Sequence, residues 1–250
     1  MLAELAVADV ADPKQTVAER LGEWLGFKEA LALYSALNAP PAGTLGRGLP
    51  VARLHDAVRS VRTRLAADVM AVDSEPSGRP DRGLPMPVPG ASVEAAADYA
   101  PFHRYYLAHQ RAMAASIAPL RAQVRAALGQ QAAALKQLAA LDAVMEQALA
   151  GREAGVLATV PALLGKRFAQ LLEAHQRLQA GSVADQTVRD ETAEKDDPAR
   201  WAQPGGWLAR FGAEVQRVLL AELDLRLMPV VGLLAALDKD ALDTNSTDLQ

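Results

Sequence analysis

Carboxylates at two places in the chain have a spacing that could serve chemistry. Asp142 and Glu146 stand four residues apart in a helical pattern, so both project from the same helix face. Glu222 precedes Asp224 by two residues. A like-charge pair can bind a cation or exchange protons. The commoner arrangement is a solvated face, or a pairing of each carboxylate with a basic residue of a neighbouring helix. Glu222 has Arg226 four residues on for an ordinary ion pair.

Motifs for metal, nucleotide and thiol chemistry are missing from the sequence. The four histidines are His55, His103, His109 and His175. His103 and His109 stand six residues apart and point to different sides of a helix, so we interpret the histidines as structural. The glycine-rich stretch 43–48 lacks both a preceding strand and the Gly-Lys-Ser/Thr ending of a phosphate loop. The chain has no cysteine. We predict no catalytic residue, no metal and no cofactor, and we do not expect an enzyme.

A set of arginines supplies the candidate binding face. They lie on a solvated side of the predicted central helix, away from its apolar stripe: Arg104, Arg111, Arg121 and Arg125. Residues 98–180 carry nine basic against five acidic residues, whereas 181–250 carry seven against thirteen. Such a face can dock an acidic protein or neutralise nucleic-acid phosphates. Nucleic acid is the disfavoured alternative, because the net charge is −4 and no nucleic-acid-binding motif occurs.

The stretch from Phe102 to about Leu178 carries most of these candidate side chains. We predict that it forms long helices with breaks between them. Its apolar residues recur at steps of three, four and seven, which is the helical period. Gly129 marks a corner between antiparallel helices. Pro119 predicts a kink within the first helix, and Pro161 predicts a break in the next one.

Composition extends the helical prediction to the whole chain. Alanine and leucine are abundant, whereas isoleucine occurs once and tyrosine and phenylalanine four times each. We therefore predict an all-α fold, an elongated multi-helix bundle with long amphipathic helices and two disordered linkers. The expected segments are an N-terminal helical segment 1–72, a Pro-rich linker 73–97, a central long-helix core 98–180, an acidic linker 181–204, a C-terminal helix 205–237, which Pro229 should kink or split, and a disordered tail 238–250.

Location and partners follow from similar arguments. The N-terminus has no basic region before an apolar run, and no stretch of about 18 uncharged apolar residues occurs, so we expect a cytoplasmic protein without a transmembrane segment. An apolar helical pattern begins at the first residues without a cap, which suggests a truncated start. Long Ala/Leu stripes favour either a protein partner or self-association, including coiled-coil pairing.

Several stretches carry a resemblance to a known family. They are Ala18–Leu25 (AERLGEWL), Gln110–Met113 (QRAM) with Pro119–Arg121 (PLR), Leu141–Gln147 (LDAVMEQ) and Glu222–Leu227 (ELDLRL). In these stretches the chain resembles an uncharacterised family of proteobacterial proteins of about 250 residues, a domain of unknown function. The resemblance spans nearly the whole chain and brings no known activity. The long amphipathic helices, the two linkers and the absence of a catalytic constellation predict a non-enzymatic scaffold or adaptor. The resemblance implies in addition that it serves an assembly at the cell envelope from the cytoplasm.

Overall fold

The structure is a computed structural model that describes residues 19, 25–38, 50–71, 83–87, 90–185 and 197–247, with backbone only for 181–185 and 243–247. All regular structure in these ranges is α-helical, which confirms the predicted all-α bundle. The helices are α1 (Phe27–Asn38), α2 (Val51–Met70), α3 (Val93–Ala96), α4 (Ala100–Leu128), α5 (Ala133–Asp185), α6 (Pro198–Trp201) and α7 (Trp207–Thr247). The glycine-rich stretch 43–48 and the uncapped first residues lie outside the described part of the chain.

Prolines interrupt fewer helices than the sequence predicts. α4 runs through Pro119 and α7 through Pro229, and the predicted break near Pro161 is wrong because α5 continues through it. Proline removes one helical hydrogen bond at a cost of about 3 kcal/mol. Burial of Val160 and Leu164 on either side of Pro161 offsets that cost. The carbonyl of Pro161 also accepts a hydrogen bond of 2.6 Å from the Tyr99 hydroxyl.

Helices also extend into segments for which we predict linkers or a tail. α3 lies within 73–97, and α6 lies within 181–204 with Trp201 buried. α7 continues to Thr247, past the predicted end at Leu237, so the predicted tail is helical over 238–247. Leu237 is buried and the Asp238 carboxylate contacts His55 at 2.9 Å, and these contacts hold the helix beyond the last apolar position of the pattern.

The chain divides into two compact units. Within the described part of the chain, unit 1 comprises residues 66–71, 83–87, 90–111, 158–185 and 197–222, and unit 2 comprises residues 19, 25–38, 50–65, 112–157 and 223–247. The long helices α2, α4, α5 and α7 each contribute residues to both units.

Aromatic rings form the core of unit 1. Phe211 is fully buried, and its ring centroid lies 5.1 Å from that of Phe102 and 5.2 Å from that of Phe168, in edge-to-face geometry. The segment at 83–87 packs closely against α7 at Gly212. A Cβ on Gly212 would lie 2.5 Å from Met86 Cε and 2.7 Å from Leu84 Cδ2, so a larger residue there would displace these two side chains.

Aliphatic side chains form the core of unit 2. Its largest fully buried members are Leu54, Leu65, Met113, Val124, Leu128 and Leu223. Two aromatic side chains occur among the described residues of this unit, Phe27 and Tyr34, and both are exposed on α1. The two units thus bury different kinds of side chain.

Candidate functional site

An ion cluster in unit 2 joins the carboxylates and two of the arginines that the sequence singles out. Arg121 holds Asp142 through two hydrogen bonds, Nη2 to Oδ1 at 2.6 Å and Nε to Oδ2 at 2.9 Å. Arg125 Nη1 donates to Asp142 Oδ2 at 2.9 Å and also to the Glu146 carboxylate. Asp142 is 11% exposed. The spacing of four residues on α4 matches the spacing of four on α5, so each carboxylate meets an arginine.

Burial and charge act in opposite directions on the acidity of this cluster. Burial, the largest influence, raises the pKa of Asp142, but the hydrogen bonds and charges of Arg121 and Arg125 together outweigh it and lower the pKa. Burial likewise lowers the pKa of Arg125, and the bonds to Asp142 and Glu146 outweigh it and raise the pKa. Both groups therefore stay charged at neutral pH, as a structural ion pair requires.

The predicted partner-binding face does not stay together on the solvated side. Arg121 and Arg125 are largely buried by the ion cluster, 14% and 19% exposed, so their placement on a solvated side is wrong. Arg104 and Arg111 are exposed in unit 1, and Arg111 Nε donates to the Leu107 carbonyl at 3.2 Å. The alternative reading of Asp142 and Glu146, pairing with basic residues of a neighbouring helix, is confirmed.

Glu222, a further carboxylate that the sequence singles out, lies inside unit 1. Glu222 is only 3% exposed. Its carboxylate accepts hydrogen bonds from the Tyr106 hydroxyl at 2.7 Å and from Gln110 Nε2 at 3.0 and 3.1 Å. Tyr106 and Gln110 are four residues apart on α4, and that spacing is the signal that could have placed Glu222 inside.

The histidines make contacts with neighbouring side chains at four separate places. His109 is buried and its ring packs edge-on against Tyr105 with centroids 4.5 Å apart. The His55 ring contacts Asp238, the His103 ring lies 6.0 Å from that of Tyr99, and the His175 ring lies 5.2 Å from that of Trp201. Among the residues that the structure describes, no group of three or more acidic, histidine or cysteine side chains has metal-binding geometry.

Helix α1 presents an apolar face to the outside of unit 2. Phe27, Leu31, Tyr34 and Leu37 are 88, 57, 67 and 50% exposed, and no residue of α1 is buried. The half-buried residues of α1, such as Leu33, lie on the opposite side. At its end the helix is attached to α5 by a hydrogen bond of 2.5 Å from Gln137 Nε2 to the Leu37 carbonyl. Periodicity identifies an apolar face but does not show whether it is covered, which is why the sequence missed this surface.

A match to a family model tests the family membership that the sequence resemblance implies. The family model described as a protein of unknown function, DUF3348, matches residues 1–239. The chain belongs to the DUF3348 family. The match confirms the predicted membership of an uncharacterised domain-of-unknown-function family. No curated protein and no solved structure matches the chain.

For a DUF3348 protein, the candidate site must therefore be chosen on geometry. No helix within the described ranges is long and apolar enough to cross a membrane. The ion cluster and the Glu222 network are built from mutually satisfied side chains and act within the fold. The exposed face of α1 can act on another molecule, through burial of its apolar side chains.

Proposed function

We propose that this DUF3348 protein is a non-enzymatic helical adaptor that binds another protein through the apolar face of α1. The observation that carries the proposal is the exposure of Phe27, Leu31, Tyr34 and Leu37 on a helix without a buried residue. Contiguous exposed apolar side chains mark interaction surfaces. The spacing of Phe27, Leu31 and Tyr34 is that of an amphipathic helix that enters an apolar groove of a partner.

Two anchors on this face are aromatic, and this favours a protein as the partner. Phe and Tyr are enriched at the centres of protein interfaces, where they fill desolvated pockets. Tyr34 adds a hydroxyl that can hydrogen-bond at the rim of such a groove. The partner we propose therefore carries an apolar groove wide enough for one helix of about three turns.

The non-enzymatic part of the proposal rests on how titratable side chains are used. Asp142 and Glu146 bind arginines, and Glu222 accepts bonds from Tyr106 and Gln110, so these groups serve the packing of the helices. A place in the cytoplasm, at an assembly of the cell envelope, is also part of the proposal. The link to an envelope assembly is supported only by the resemblance of the sequence to its family.

The test is affinity capture from the native cell with mild crosslinking. The double variant Leu31→Glu with Tyr34→Glu puts two charges on the face, and both side chains are more than half exposed. The matched control is Ala32→Glu, because Ala32 is also exposed but points away from the face. We expect the unchanged protein and the control to recover the same partner, and the double variant to lose at least tenfold of it.

A parallel capture after nuclease treatment separates the competing hypothesis of nucleic-acid binding. Recovery that is unaffected by nuclease and lost in the double variant supports the adaptor. Recovery that vanishes with nuclease and survives in the double variant contradicts it and returns attention to Arg104 and Arg111. Equal recovery by the double variant after nuclease also rules out α1 as the binding face.

A further inference from the structure

A second exposed apolar face lies on the part of α7 that belongs to unit 2. Its inward side is buried through Leu223, Leu227, Val230, Leu234 and Leu237. On the outward side, Leu225, Met228 and Leu242 are 47, 65 and 70% exposed. With the exposed Gly232, Ala235 and Lys239 they form one line, which we call the α7 seam: Leu225, Met228, Gly232, Ala235, Lys239 and Leu242.

We propose that the α7 seam is a self-association surface on which α7 of a second copy packs in antiparallel orientation. The proposal does not depend on the adaptor role of α1, because it uses a different helix and a different occupant. Three properties of the seam support it: its spacing, its self-complementary sizes and its charges.

The spacing is that of two helices packed along a shared seam. Successive seam residues are separated by three, four, three, four and three positions, which is the heptad repeat of a coiled coil. A side chain at each position enters the groove of a facing helix only if the repeat is kept. The seam keeps it over 18 residues, which corresponds to a length of about 27 Å.

The sizes of the side chains match when the seam is reversed on itself. A two-fold axis midway between Gly232 and Ala235 pairs Leu225 with Leu242 of the second copy, and pairs the two small residues with each other. Two helices packed along this seam approach closely at the small residues near the axis, and the large residues fill the wider ends of the interface.

Gly232 supports the same position for the crossing. Glycine destabilises a helix interior relative to alanine, so its presence there calls for a packing reason. A Cβ on Gly232 would meet no atom within 4 Å in its own chain, so the monomer does not supply that reason. Close approach of a second helix would supply it.

Charge selects the antiparallel over the parallel arrangement. Parallel helices would place Lys239 against Lys239 of the second copy. Antiparallel helices place the Lys239 stem over Met228 of the second copy, one turn from Asp224, which is exposed and also pairs with Arg62 at 3.0 Å. The ammonium can then reach a carboxylate while its methylenes cover an apolar side chain.

The size of the seam sets the strength of the dimer. Its exposed apolar side chains offer on the order of 400 Å² per copy, against roughly 800 Å² per partner in a standard interface. We therefore expect a reversible dimer that is populated at high protein concentration and dissociates on dilution.

The first test is sedimentation velocity of the full chain at concentrations from about 5 to 500 µM. We expect the sedimentation coefficient to rise with concentration, and Gly232→Leu to shift the dissociation constant at least tenfold upward by blocking the crossing. Gln147→Leu adds the same side chain at an exposed position of α5 and should leave dimerisation unchanged. A chain that stays monomeric throughout overturns the proposal, as does a Gly232→Leu variant that dimerises as well as the unchanged chain. Far-UV circular dichroism shows whether each variant is folded.

The second test fixes the orientation with single cysteines, since the chain has none of its own. Ala235→Cys lies beside the two-fold axis and should oxidise to a covalent dimer. Leu225→Cys should not, because the two Leu225 positions of an antiparallel pair are about 25 Å apart along the helices. Covalent dimers from Leu225→Cys at the same rate would overturn the antiparallel arrangement.

Discussion

Unit 1 and unit 2 differ in what they bury and in what they expose. Unit 1 buries a cluster of aromatic rings, and its large exposed apolar side chains, Met70, Val93 and Leu178, are far apart in sequence. Unit 2 buries aliphatic side chains and an ion cluster, and it exposes apolar side chains in lines along α1 and α7. Scattered apolar side chains are normal on protein surfaces, whereas contiguous ones mark interaction sites. This difference supports our proposal that unit 2 carries the recognition surface.

The largest expected effect tests the aromatic core of unit 1. Phe211→Ala removes a fully buried ring that packs against Phe102 and Phe168, and we expect it to lower the free energy of unfolding by about 3–5 kcal/mol. Urea unfolding followed by circular dichroism measures the loss. Near-ultraviolet ellipticity, which reports packed rings, should also fall. In the matched Leu128→Ala variant of unit 2 it should be retained, and equal loss in both variants would break the contrast between the two cores.

The next effect concerns the ion cluster of unit 2. Asp142→Asn removes a carboxylate that binds two arginines, and we expect a loss of about 2–3 kcal/mol at pH 7, because two largely buried positive charges then share one carboxylate. Arg59→Gln removes one member of an exposed pair and should cost less than about 0.5 kcal/mol. Similar losses in the two variants would contradict a special role for the cluster.

The Asp142 effect should depend on pH in a defined direction. The pKa of Asp142 is lower in the folded chain than in the unfolded chain, so the unfolded chain binds the proton more readily. Its stabilising contribution is complete above the unfolded pKa and is lost as pH falls through the folded pKa. The stability difference between the unchanged chain and Asp142→Asn should therefore shrink from about pH 5 to pH 2. A difference that grows as pH falls would show that the carboxylate is not held by the arginines.

A smaller effect concerns the hydrogen bonds to the buried carboxylate of unit 1. Tyr106→Phe removes one hydroxyl that donates to Glu222, and we expect a loss of about 1–2 kcal/mol in urea unfolding. Tyr34→Phe removes a hydroxyl from an exposed ring of unit 2 and should change stability by less than about 0.5 kcal/mol. If Tyr106→Phe were equally neutral, the Glu222 network would not contribute to the fold.

The smallest effect on stability is expected on the proposed recognition face. Leu31→Glu changes a side chain that is 57% exposed, so the free energy of unfolding should change by no more than about 0.5 kcal/mol. A loss of 2 kcal/mol or more in thermal unfolding would mean that α1 packs against the rest of the chain through this face, and the distinction between the units would fail.

Sequence predicted the helices better than it predicted their surroundings. Local composition and period depend on neighbours along the chain, so α2, α4, α5 and α7 could be expected from Ala/Leu-rich periodic stretches. The continuation of α5 through Pro161 could not, because it depends on packing by Val160 and Leu164. The carboxylates show the same limit. For Asp142 the sequence allows pairing with a basic residue of a neighbouring helix as one of two possibilities. The burial of Glu222 could not be predicted, because it depends on Tyr106, which is 116 residues away.

The exposed faces were the hardest feature to anticipate. The pattern Leu31, Tyr34 and Leu37 is the same whether a helix lies in a core or on a surface. Only three-dimensional packing shows that α1 has no buried residue and that α7 has an outward seam. The opposite happens with the arginine face. The sequence places Arg121 and Arg125 on a solvated side, whereas both are paired within the fold.

Site-specific photo-crosslinking in the native cell tests the central claim, that the α1 face binds another protein, most directly. A photoreactive residue at Tyr34 points from the face, one at Ala32 points away from it on the same helix, and one at Arg104 lies on unit 1. We expect a discrete adduct with a different protein from position 34, at least tenfold stronger than from the other two positions. Equal adducts from all three positions, or from position 34 only adducts of twice the mass of this chain, would contradict it.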